Sequence, residues 1–189
     1  DIQQYFLQLL LIVVGFRVLS FEYNFIKMVF ALIDMKYYEF KVKQFIKLPI
    51  EEVFNYFSNP ANLQKITPIY LNFRIKNQLP LRMNKGQLFE YQLRVRGIPI
   101  NWKSLISSYN PPYSFVDEQI KGPYSSWHHT HTFKEENGGT SIFDEVKYSL
   151  PLGFIGRIIN SIWVKRDLHS IFKYRRKMIV KTLKNSSND

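Results

Sequence analysis

Trp127-His128-His129-Thr130-His131, which continues through Glu136-Asn137-Gly138-Gly139 into Thr140–Leu150, decides the reading of this chain. Two arms with strand-like alternation flank a Gly-rich turn, the pattern of an antiparallel hairpin. A four-residue loop sets Glu135 opposite Thr140, and parity then fixes the later pairs. Phe133 falls opposite Ile142, His131 opposite Asp144, His129 opposite Val146 and Trp127 opposite Tyr148, all on one face. Away from the turn that face is mostly apolar, yet it carries two imidazoles and a carboxylate. Such a face lines a chamber more readily than it packs as dry core, because buried polar groups need partners.

Upstream of the hairpin the chain reads as strands in series. Ser114–Lys121 is a strand separated from the His-bearing one by Gly122-Pro123; with Gly122-Pro123-Tyr124 as a three-residue loop, Asp117 comes opposite His129 and Gln119 opposite Trp127. Ile100–Tyr109 and Phe89–Val95 are two more, joined by Gly97-Ile98-Pro99, and Leu71, Phe73 and Ile75 mark a shorter one. At the front, Tyr38, Phe40, Val42, Ile46 and Leu48 alternate with Tyr37, Glu39, Lys41, Lys43 and Lys47, giving a strand with one dry face. Pro49 ends it. Ile50, Val53, Phe54 and Phe57 then recur at helical spacing behind Glu51 and Glu52, and a second short helix fits Ala61–Ile66 before Pro68.

Beyond Pro151 the spacing predicts a long helix from about Phe154 to Leu183, with Ile155, Ile158, Ile159, Ile162, Leu168, Ile171, Phe172, Ile179 and Leu183 as its stripe. At 1.5 Å per residue it is ~45 Å long, enough to cross a whole sheet. The expected architecture is therefore α+β: a curved seven-stranded antiparallel sheet wrapped around a long C-terminal helix, with two short helices after the first strand. Strong curvature leaves room between sheet and helix, and that gap is the expected ligand site.

Composition narrows the chemistry. The 189 residues are 46% hydrophobic and contain no Cys, which excludes disulfides, thiolate metal sites and thiol catalysis and fits a cytoplasmic setting. Of the net charge of +11, residues 152–189 supply +7: nine Lys or Arg against Asp167 and Asp189. This basic helix reads as a solvated face, with an anionic membrane surface as the rival partner; no nucleic-acid-binding module is recognisable. Residues 1–34 contain an apolar run, Leu9–Phe16, which is shorter than the ~18 to 20 residues that span a bilayer. They are expected to be upstream sequence preceding a start at Met35, or else a membrane-associated helix. Residues 35–184 form the domain, and 185–189 a fraying tail.

The element order, together with Leu48-Pro49-Ile50-Glu51-Glu52-Val53-Phe54, Gly97-Ile98-Pro99 with Trp102, Gly122-Pro123-Tyr124, the Trp127–His131 stretch and Leu150-Pro151-Leu152-Gly153, resembles the SRPBCC superfamily. This is the START, Bet v 1 and polyketide-cyclase-like group with the helix-grip fold; the similarity is to its bacterial ligand-binding branch, some members of which are labelled cell-division-inhibitor-like. The resemblance covers Met35 to about Leu183. It implies a cavity for an apolar or aromatic small molecule such as a lipid, quinone or polyketide, and it implies no particular reaction.

The candidate ligand-binding residues follow from the inward face: Asp117, Gln119, Trp127, His129, His131, Phe133, Asp144, Val146 and Tyr148, joined by Tyr91 and Trp102 as further aromatic wall. His131 and Asp144 are the candidates for an imidazole–carboxylate base in a cyclase, dehydratase or hydrolase, the rival to simple binding. Two His on one strand face with Asp144 or Asp117 also make a three-ligand metal set conceivable, although a hydrogen-bonded pair explains them equally and no metal or cofactor is assigned. His128 is expected on the outer face and His169 at the surface.

Overall fold

The computed structural model describes residues 35–78 and 82–186, so the expectations for residues 1–34 and for residues 187–189 of the tail lie outside the described residues, while Asn185 and Ser186, expected in the tail, continue the last helix. Seven strands form one antiparallel sheet: β1 (Tyr37–Ile46), β2 (Arg74–Ile75), β3 (Leu88–Val95), β4 (Ile98–Asn110), β5 (Ser114–Lys121), β6 (Ser126–Glu136) and β7 (Gly139–Ser149). Their spatial order is β1-β7-β6-β5-β4-β3-β2. Two short helices, α1 (Ile50–Phe57) and α2 (Pro60–Lys65), carry the chain from β1 across to β2 at the far edge. The C-terminal rod comprises α3 (Gly153–Ile159), a π-helical segment (Asn160–Val164) and α4 (Lys165–Ser186). This is the helix-grip arrangement.

The local chemistry of each element accounts for its boundaries. Glu51 and Glu52 occupy the first turn of α1, where the helix dipole favours anions, while Ile50, Val53 and Phe54 are buried. Asn59 caps α2 by accepting from the Ala61 N–H at 3.1 Å, with Pro60 in the first turn. The β6–β7 hairpin turns through two residues rather than four, because Asn137 (φ 52°) and Gly138 (φ 71°) both adopt the left-handed conformation that suits the strand twist. The register is the expected one, since lengthening both arms by one residue preserves every pair from Glu135↔Thr140 to Trp127↔Tyr148. The same two-residue solution joins β3 to β4 through Arg96 and Gly97, not through the predicted Gly97-Ile98-Pro99.

Other expectations are corrected. The Leu71–Ile75 strand shrinks to Arg74–Ile75, because Ile69–Leu71 form a 3-10 turn closed by Asn72 in the left-handed region. The long helix runs through Ser186, and its stripe does not hold throughout. Ile155, Ile158 and Ile162 are exposed, whereas Gly153, Gly156 and Asn160 are buried. A π-helical turn takes up more residues than an α turn, so the apolar phase before residue 160 does not match the phase after it. From Leu168 onward the stripe faces the sheet, with Leu168, Phe172, Ile179 and Leu183 all buried.

The core has two parts. At one end, Phe54 packs on Phe115 and Phe133, and this cluster extends to Ile142, Ile179 and Leu183. At the other, Phe40, Val146 and Tyr148 meet Leu168 and Phe172. Each fully buried large side chain contributes about 1.5–3 kcal/mol of transfer free energy, so this packing holds the helix to the sheet. Polar bonds fix the alignment: Gln44 Nε2 donates to the Arg176 carbonyl at 3.1 Å, and the Tyr56 and Thr182 hydroxyls are 2.6 Å apart.

Candidate functional site

Three adjacent central strands bring four ionisable side chains together. Asp117 on β5 is paired with His129 on β6, and His131 on β6 with Asp144 on β7. All four point to the face that α4 covers. Asp117 Oδ2 lies 3.2 Å from His129 Nδ1 and 3.4 Å from His131 Nε2. Asp144 Oδ1 lies 3.3 Å from His129 Nε2 and 2.7 Å from His131 Nδ1. The contact with His129 is a hydrogen bond, whereas the shorter one with His131 departs from hydrogen-bond geometry. The two imidazoles sit with centroids 3.8 Å apart, and Phe115 stacks on His131 at 4.2 Å.

The charges in this ring sustain one another. Burial alone would push the His129 pKa down, but its bonds to Asp117 and Asp144 outweigh that and raise it to about 9. Burial likewise opposes ionisation of Asp117 and Asp144. For Asp117 the hydrogen bonds of the two imidazoles overcome it, and for Asp144 chiefly the charge of His131; both carboxyls are held well below the usual carboxylate range. Although directed inward, the Asp117 and Asp144 side chains retain 22% and 13% exposure.

A fifth group completes the site. Arg175, from α4, has a buried Nε without a hydrogen-bond partner, and its guanidinium carbon lies 5.4 Å from the Phe172 ring centroid. Burial lowers its pKa, countered by the charges of Asp144 and Asp117 and by Tyr91. Arg175 was not among the expected site residues, yet its position was readable. It lies three residues after Phe172 and four before Ile179, which sets a cation within the buried stripe of α4.

An aromatic wall adjoins the charged ring. Trp127 packs edge-on against Trp102 at 5.3 Å, and both touch Tyr124, an aromatic that the sequence reading placed only in a turn. Trp102 Nε1 donates to Ser104 Oγ at 2.9 Å. The Tyr148 hydroxyl donates to Asn160 Oδ1 at 2.8 Å, and burial pushes its pKa up to about 12. Burial, reinforced by the Asp117 charge, also pushes the Tyr91 hydroxyl up, which keeps it a proton donor.

Not every expected residue belongs to this constellation. Phe133 is embedded among Phe54, Phe57 and Phe115, and Val146 is fully buried beside Phe40 and Phe172, so both are packing residues. Gln119 is turned into the β5–β6 connection, where Nε2 donates to the Tyr124 carbonyl at 2.7 Å and Oε1 accepts from the Tyr124 N–H at 3.3 Å. The β5–β6 pairing stops at Glu118↔His128 and does not reach Trp127, because this connection spans Gly122 to Ser125 rather than three residues. His128 lies on the outer face with Glu118 at 2.9 Å, and His169 is exposed against the edge of Phe40. Among the described residues, Asp117, His129 and His131 each offer a ligand atom within 4.8 Å of the other two, the spacing of a metal-ligand set.

No family model and no curated protein sequence matches the chain. Solved structures do match its fold. Protein Ms6760 from Mycobacterium smegmatis superimposes with a TM-score of 0.59 at 14% identity, over 81% of this chain and 98% of that one. TTHA0849 from Thermus thermophilus gives 0.57 at 15% identity, over 77% and 99%. The nucleoside-diphosphate sugar epimerase from Corynebacterium glutamicum gives 0.58 at 20% identity, with 79% of this chain matching 30% of that protein. These likenesses establish a shared curved sheet and C-terminal helix. The architecture therefore recurs both as a whole protein and as part of a larger chain.

Proposed function

We propose that the chain belongs to the SRPBCC superfamily and binds an amphipathic small molecule between the concave sheet face and α4. The observation that carries this reading is the juxtaposition of Trp102, Tyr124 and Trp127 with a partly water-accessible ring of Asp117, His129, His131 and Asp144, closed by the unpartnered Nε of Arg175. Aromatic faces take up a flat apolar body without demanding one shape, and a few placed polar groups fix its direction. A ring-bearing ligand with one carbonyl or carboxylate oxygen satisfies both: its body lies on the Trp wall and its oxygen accepts from Arg175 and Tyr91. Leaving the Arg175 Nε unpaired costs about 1–3 kcal/mol, which such an oxygen would recover.

The test is native mass spectrometry and solvent extraction of untagged protein, paired with titration by the fluorescent probe anilinonaphthalene sulfonate. Saturable binding of one probe per chain is expected, weakened several-fold by Trp127→Ala or Arg175→Gln in protein that keeps its circular dichroism spectrum. A probe signal that does not saturate, or one indifferent to both substitutions, overturns the reading.

A further inference from the structure

We propose that Asp117, His129 and His131 bind a divalent first-row transition ion, with Asp144 holding both imidazoles from behind. The separations from Asp117 Oδ2 to His129 Nδ1 and His131 Nε2 are 3.2 and 3.4 Å. A tetrahedral ion with bonds of about 2.0–2.1 Å sets its ligand atoms about 3.3–3.4 Å apart, the spacing found here before any ion draws the groups together. The nitrogens on the far side of the rings, His129 Nε2 and His131 Nδ1, both lie against one oxygen of Asp144, at 3.3 and 2.7 Å. Ligating imidazoles characteristically give their second N–H to such a carboxylate, which fixes the tautomer and the ring direction.

The two ring centroids stand only 3.8 Å apart, so that each imidazole sets one nitrogen against the same oxygen of Asp117 and the other against the same oxygen of Asp144. An ion that takes both rings as neutral ligands leaves the far nitrogen of each protonated and facing Asp144 Oδ1. Two imidazoles and one carboxylate select zinc(II) or iron(II) over magnesium and calcium, which prefer oxygen alone. Three protein ligands leave a coordination position for water or for a ligand oxygen. The site does not depend on the proposed amphipathic ligand, since an ion can occupy it in the absence of that molecule.

The experiment uses the full, untagged chain, stripped with a chelator and titrated separately with zinc(II), with iron(II) under anaerobic conditions, and with cobalt(II) as a coloured stand-in. One equivalent per chain is expected, with visible cobalt bands of low-symmetry coordination; magnesium should not compete. Asp117→Asn and His131→Gln should abolish stoichiometric binding, whereas Asp144→Asn should keep the stoichiometry and weaken affinity by roughly 10–100-fold. Should the Asp117 or His131 variant fail to fold, histidine ring NMR of the unaltered chain must show zinc shifting the His129 and His131 signals and not those of His128 or His169. Absence of stoichiometric binding by all three ions, binding unchanged in both ligand variants, or shifts confined to His128 and His169 each overturns the site. Loss of probe binding in Trp127→Ala with the cobalt titration intact would bear on the carrier reading alone.

Discussion

His131 Nδ1 stands 2.7 Å from Asp144 Oδ1 across the β6–β7 pair, and the same oxygen reaches His129 Nε2 at 3.3 Å, so a single carboxylate serves two imidazoles. Removing its charge should be expensive. In Asp144→Asn, His129 keeps Asp117 but loses the second of the two carboxylates that keep it charged. Breaking a buried ion pair by removing one partner costs roughly 3–5 kcal/mol, so a loss near the lower end is expected in urea unfolding, with unchanged slope. A change under about 0.5 kcal/mol would mean that the ring contributes no net stability.

Stability of the metal-free protein should depend on pH in a defined direction. His129 has its pKa raised to about 9, so its contribution is fully present below the unfolded-state value near 6.5 and is lost as pH rises through about 9. Asp117 and Asp144 have depressed values, so theirs is present above about 4 and is lost only as pH falls through the acid range. In the presence of chelator the urea midpoint should therefore form a plateau between about pH 4 and 6.5, and stability should fall by roughly 2–3 kcal/mol toward pH 9.5. His129→Gln should flatten that alkaline fall; an equally steep fall in the variant would assign it to other groups.

Arg96 joins the β3–β4 turn to the helical rod through a two-pronged contact with Asp167, at 3.0 and 3.3 Å, and a guanidinium 5.2 Å from the Trp163 ring centroid. Its φ of 51° is a conformation that glycine adopts freely and alanine does not. Two substitutions separate contact from strain. Arg96→Ala should lose the contacts and keep the strain, for a cost of about 1 kcal/mol, while Arg96→Gly should fall within about 0.5 kcal/mol of the parent because relief of strain offsets the lost surface contacts. Thermal unfolding of the pair decides the matter, and Ala matching Gly would remove the backbone argument.

Helix propensity and packing make opposite predictions at Gly156. Alanine is favoured over glycine inside a helix by about 1 kcal/mol, but a Cβ at this position would run into the Pro151 carbonyl oxygen and stand 3.1 Å from Leu150 Cβ. The first obstacle is backbone, which cannot swing aside. Gly156→Ala should therefore destabilise by about 1–3 kcal/mol. A raised melting temperature would show that α3 shifts to accommodate the methyl group.

The hairpin that places His129, His131 and Asp144 was legible because strand pairing across a short turn is local and parity allows only two facings. Even the wrong loop length left the register intact, since one residue added to each arm preserves every opposed pair. The meeting of Asp117 with His129 followed from the same counting, whereas the Gln119–Trp127 pairing failed where the β5–β6 connection proved longer than assumed. Periodicity also located the C-terminal helix, and it erred where a π-helical turn moved Ile155, Ile158 and Ile162 out of phase.

Sequence alone thus determined the succession of strands along the chain and the inward faces of β1, β3 and the β6–β7 hairpin, because these depend on a two-residue repeat and on turns a few residues long. Only the tertiary structure decided that Arg175 comes within range of the charges of Asp144 and Asp117 and that Gln44 bonds the Arg176 carbonyl 132 residues away. Those contacts lie between a helix and a sheet face far apart in the chain. Their geometry is set by how the whole curved sheet closes on α4, a global fit that no short window of residues encodes.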